Sequence, residues 1–136
     1  MHHTKDKGDL GVLKAQIDLF EQGFIVALPL TEHAPFDLII YKDGTCKTVQ
    51  VKYRKVNKNG VLEIPFRTNW ADKHGTHESS MDKEAVNLLC VYCPDTDECY
   101  YFNPKDFRKS VSLRVNTSKN NQKLRVKMAT DYRKVP

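Results

Sequence analysis

The 136 residues suit one domain with a real core rather than two, and the absence of a bilayer-length apolar run or a signal-peptide core points to a soluble, intracellular, cytoplasmic protein. Charge is uneven: residues 1–104 carry 12 basic and 15 acidic side chains, whereas residues 105–136 carry 10 and 2, so a basic segment of about +8 joins a near-neutral body, the footprint of a phosphate-binding surface or else of a solvated tail. Cys46, Cys90, Cys93 and Cys99 are expected to be reduced, since a chain of this size in a reducing compartment does not need disulfides.

A helix is predicted from about Asp6, a capping residue, to Gln22, with Gly23 as its left-handed stop. Leu10, Leu13, Ile17 and Phe20 recur at spacings of three and four, forming the stripe expected to pack. Phe24 to Leu28, apolar throughout and followed by Pro29, reads as a strand buried on both faces.

The most informative segment follows. Pro35 to Tyr41 turns at Asp43-Gly44 and returns as Thr48 to Tyr53, and Asp-Gly between two β-branched, aromatic runs predicts a two-residue type I′ hairpin. Pairing Lys42 with Thr45 makes cross-strand partners sum to 87, which sets Asp37 opposite Gln50 with Lys52 two residues further. Alternation then places all three on one face. A carboxylate, an amide oxygen and an ammonium so grouped suit a divalent metal beside a scissile phosphate.

After a Lys- and Asn-rich turn with Gly60, Val61 to Phe66 reads as a further strand of a four-strand meander. Residues 67–82 show no clear periodicity and are expected to be a long functional or mobile loop. Val86 to Tyr92 and Cys99 to Phe102 form a second hairpin around Pro94 to Glu98; Val111 to Val115 and Leu124 to Met128 are further strand candidates. Neither a repeat nor a domain boundary stands out.

This order of elements, with Pro35-Phe36-Asp37 and Gln50-Val51-Lys52 as motif residues, resembles the PD-(D/E)XK nuclease core, an α/β (α+β) fold with a mixed central sheet, a flanking helix and here a strand-rich basic extension. Lys5 to Gly11, the Asp37 hairpin and Cys90 to Glu98 are similar, more narrowly, to PD-(D/E)XK homing endonucleases encoded in group I introns, of the cyanobacterial type, over roughly residues 4–103. The resemblance implies site-specific, metal-dependent hydrolysis of double-stranded DNA by a single domain, 1–136, with 104–136 contacting DNA. It assigns Asp37, Gln50 and the Val51 carbonyl to Mg²⁺, with Mn²⁺ as a substitute, and Lys52 to the attacking hydroxide or the developing phosphorane charge. Gln50 replaces the usual acidic residue and brings no charge, so metal affinity should be lower. Val12 occupies the position of the family's helix Glu and cannot bind metal; Asp9, Gln16 or a water are the substitutes. A catalytically weak or inactive DNA-binding member, and a junction-resolvase-like structure-specific nuclease, are therefore the alternatives.

Other motifs weigh less. Cys90 and Cys93 have CxxC spacing, but residues three apart on a strand face opposite ways, which disfavours zinc. His74 and His77 with Asn69 resemble metal-nuclease loops without a partner motif. Phosphate contacts are expected from Lys55, Lys58, Lys105, Lys109, Lys119, Lys123 and Lys134, and base readout from Arg67, Asn69, Arg114, Asn116, Arg125 and Lys127. One site cuts one strand, so a homodimer or homotetramer, the tetramer favoured by resemblance, is expected, with the outer faces of Val86 to Phe102 as the interface.

Overall fold

The structure, a computed structural model, describes residues 4–116 and 126–136, with backbone alone for residues 4 and 68–71. Helix α1 spans Thr4–Glu21 and ends where predicted: the Phe24 N–H donates to the Leu19 carbonyl at 3.1 Å across Gly23, whose φ of +92° a side chain would strain. Five strands form the main sheet in the order β1 (Ile25–Ala27), β2 (Leu38–Lys42), β3 (Thr45–Tyr53), β4 (Leu88–Cys93) and β5 (Glu98–Phe102), all neighbours antiparallel except the parallel pair β3 and β4.

The β2–β3 hairpin has the predicted register, Lys42 opposite Thr45 and Leu38 opposite Val49. Its turn residues Asp43 and Gly44 have φ of 51° and 82°, the paired positive values of a type I′ turn.

Several expectations are corrected. The stripe Leu13, Ile17, Phe20 faces outward, 57%, 58% and 74% exposed, whereas Ala15 and Leu19 are fully buried. The row through Gly11, Ala15 and Leu19 faces the sheet instead: a Cβ on Gly11 would stand in ordinary contact, 3.5 Å from Val51 Cγ1 and 3.7 Å from Tyr53 Cβ, which leaves room there for little more than a methyl group. Strand β1 is not buried on both faces; it is the sheet's edge, with Ile25 65% exposed.

Residues 67–82 are not a loop. They form a two-stranded ribbon, β6 (Arg67–Asp72) and β7 (Gly75–Ser80), turning at Lys73-His74 where the Asp72 carboxylate accepts from the His74 N–H at 2.7 Å. Val61 to Phe66 does not extend the meander either: β8 (Val61–Pro65) pairs with β9 (Ser110–Arg114) in a separate sheet. Of the last predicted strand, Leu124 to Met128, the first two residues lie outside the described residues, and of the rest Met128 makes a single bridge to Arg114.

Two cores result. Alternate β4 residues Leu88, Cys90 and Tyr92 pack under α1, and Leu89, Val91 and Cys93 pack with Leu62, Ile64, Val111 and Leu113 of the β8–β9 sheet. The main sheet is thus covered on both faces. Every residue of β4 is buried, as are Cys99 to Phe102, which removes Val86 to Phe102 as an exposed interface. Cys90 and Cys93 sit in different cores, on opposite sides of β4.

Candidate active site

Asp37 precedes β2 by one residue, and its N–H donates to the Val49 carbonyl at 2.8 Å. Its Oδ2 accepts from the Val51 N–H at 2.8 Å, which fixes the carboxylate against β3. In an extended chain the N–H and C=O of one residue point the same way, so the Val51 carbonyl is directed to this side as well. Val49 and Val51 belong to the core under α1, so Gln50 and Lys52 project from the opposite side of β3.

There Gln50 and Lys52 line a groove of about 430 Å³ with Pro35, Phe66, Arg67 and the end of β7. The Gln50 Oε1 is buried and has no hydrogen-bond partner. Burial raises the Asp37 pKa above the ordinary carboxylate value, against the Val51 N–H and the Lys52 charge, which lower it. Burial also lowers the Lys52 pKa, helped by the positive charge of Arg54 and opposed by Asp37. Two opposite charges, each taken from water and each shifted toward neutrality, are a pattern that functional sites concentrate. A carboxylate, an orphaned amide oxygen, a directed carbonyl and a softened ammonium form the equipment of phosphodiester hydrolysis.

The family model of the PD-(D/E)XK endonuclease matches residues 2–135. The chain belongs to the PD-(D/E)XK endonuclease family. It is therefore a nuclease, a hydrolase of phosphodiesters. In structure it is similar to the bacterial homing endonuclease I-Ssp6803I, with a TM-score of 0.78 and 24% identity over 97% of this chain and 89% of that one. The Holliday junction resolvase Hjc of Archaeoglobus fulgidus, an archaeal hyperthermophile, aligns with a TM-score of 0.49 and 16% identity over 79% of this chain and 84% of that one. No curated protein matches the chain in sequence.

Members of this family generally use divalent metal ions, and the residues present fit one. Asp37 Oδ1, Gln50 Oε1 and the Val51 carbonyl are oxygen donors suited to a hard cation, and the orphaned Gln50 oxygen needs a partner. The set carries one negative charge. Helix α1 does not raise it: Val12 packs against the core beneath it, Gln16 turns its Nε2 back to the Val12 carbonyl at 3.3 Å, and Asp9 is exposed. Among the described residues no cluster of three His, Cys, Asp or Glu could hold a metal. His77 Nε2 lies 3.0 Å from Asp72 Oδ1 and ties the tip of the ribbon.

The DNA-contact candidates are scattered in role. Lys55 and Lys58 are exposed. Lys105 pairs with Glu84 at 3.3 Å and Arg67 with Glu78 at 3.9 Å. Arg114 is engaged structurally, donating to the carbonyls of Asn59 and Asn116 at 3.2 and 3.4 Å. Asn116 packs against Gly60, and Lys127 lies over the Phe107 ring at 5.8 Å. Lys119, Lys123 and Arg125 lie outside the described residues, as does the Asn69 side chain. The β6–β7 ribbon is what sequence reasoning missed; its signal, Asp72 just before the turn and Gly75 just after it, is weak because β7 is polar and mostly exposed.

Proposed function

We propose that this endonuclease is a site-specific, Mg²⁺-dependent cutter of double-stranded DNA of the intron-homing kind, with Mn²⁺ able to substitute. The observation that carries the reading is the Asp37 carboxylate pinned by the Val51 N–H beside Lys52, with the Gln50 oxygen buried and unpaired in the same groove. Asp37, Gln50 and the Val51 carbonyl would hold the ion. Bound there, a divalent cation would polarise a phosphoryl oxygen and make a bound water more acidic.

The protein's own residues do the rest. The Val51 N–H keeps the carboxylate from swinging away. Lys52 holds a proton toward the attacking oxygen and offsets the charge that grows on the phosphoryl group. Gln50 orients a ligand without adding charge, and Val12 leaves the helix silent, so the site binds its ion weakly. The whole chain acts as one nuclease domain, with the basic residues of 104–136, together with Lys55, Lys58, Arg67 and Asn69, against the duplex, in the cytoplasm. Among the described residues no helix is long and apolar enough to cross a membrane.

Cutting both strands takes two sites, and among the described residues Leu13, Ile17 and Phe20 expose an apolar stripe along the outer side of α1. A second copy of the chain covers that face. The test is cleavage of linear and branched duplexes with Mg²⁺, Mn²⁺ or chelator. Linear DNA is cut with metal only; Asp37→Ala and Lys52→Ala each lose at least 100-fold in rate, on the order of one removed electrostatic group, and keep binding. Binding without cleavage in any metal would leave the inactive DNA-binding member, and preference for branched DNA a junction nuclease.

A further inference from the structure

Beyond Tyr53 the chain leaves β3, yet the Arg54 N–H still donates to the Tyr92 carbonyl at 3.0 Å, which prolongs the parallel ladder. Alternation is therefore kept, and Gln50, Lys52 and Arg54 form one row on one side. Val56, next in that row, packs against the β8–β9 core and confirms the side.

Two atoms of this row are buried without a hydrogen-bond partner, Gln50 Oε1 and Arg54 Nε. An unpaired buried donor is costly, and more so on a charged group. Among the described residues the Arg54 side chain has no ion pair, and Asp95, close to this end of the strand, has its Oδ2 on the Val56 N–H at 2.8 Å. The Arg54 guanidinium and the Lys52 ammonium lie side by side, with Asp37 next to Lys52 and Asp82 the other acidic residue along the groove. Guanidinium groups match phosphate oxygens in a planar fork. Two strand residues span about 7 Å, so Lys52 and Arg54 address separate phosphates rather than crowd one.

We propose that Arg54 binds the DNA-backbone phosphate next to the scissile one, holding the strand in register over Asp37 and Lys52. The proposal rests on the endonuclease reading and adds a contact outside its metal and Lys52 set.

The test is affinity for a linear duplex in EDTA across a salt series, for wild type, Arg54→Ala, Arg54→Gln and Arg54→Lys, with thermal unfolding and plasmid cleavage in Mn²⁺ alongside. One lost phosphate contact flattens the slope of log Kd against log salt by about 0.9 in the Ala and Gln variants, and Lys restores it. A wild-type slope in Arg54→Ala, with or without a lower Tm, overturns the proposal. Should that variant fail to fold, equal slopes for the Gln and Lys variants overturn it as well. A wild-type chain that binds and cuts while the slopes agree loses only this contact; one that neither binds nor cuts takes the endonuclease reading down with it.

Discussion

Asp37 pays for its position in protons. Its folded pKa stands above the unfolded value because burial outweighs the Val51 N–H and Lys52. Such a group favours folding below its unfolded pKa, and that contribution is lost as pH rises through the raised folded pKa. In metal-free protein, Asp37→Asn should therefore raise Tm at neutral pH, with the advantage shrinking as pH falls toward the carboxylate range. An Asn variant less stable at neutral pH by thermal unfolding would contradict this. Val12 invites the reverse change. Val12→Glu puts a carboxylate into an apolar contact, costing on the order of 1–3 kcal/mol without metal, and should enlarge the Tm gain on adding Mn²⁺. No added response to Mn²⁺ would separate position 12 from the ion. Asp37, Gln50 and Lys52 were legible because a two-residue turn sets register by local geometry. Arg54 was not, since its orphaned Nε depends on what surrounds it.

At the scale of elements, periodicity revealed the existence of α1 and hid its orientation. Two apolar rows run along the helix, and the heavier one is the exposed one; the row through Gly11, Ala15 and Leu19 faces the sheet, where a Cβ on Gly11 would already stand in ordinary contact with Val51 and Tyr53. The strands at Val61 and Val111 were both legible; that they pair, almost fifty residues apart, was not. That pairing turns part of the basic segment into core. Leu113 is fully buried against Leu62, Leu89 and Phe102 among others, so Leu113→Ala should cost about 2–5 kcal/mol by chemical denaturation. A cost under about 1 kcal/mol would fit a solvated tail instead.

At the scale of the molecule, the uncovered apolar stripe of α1 is the outstanding surface. Phe20 is 74% exposed and a charge there costs the monomer little, so Phe20→Glu should keep its Tm at low concentration and sediment as a smaller species than wild type. An unchanged sedimentation coefficient would place self-association elsewhere. By itself the sequence determined what local chemistry governs: the helix and its glycine stop, the Asp-Gly turn, the register that sets Asp37 by Gln50 and Lys52, and the membership these residues signal. Only the tertiary structure decided which helix face is inward, that β8 and β9 close the second core, and that the ribbon of residues 67–80 flanks the groove. These depend on contacts between segments far apart in the chain, where steric fit and burial, not local propensity, choose among patterns the sequence leaves equivalent.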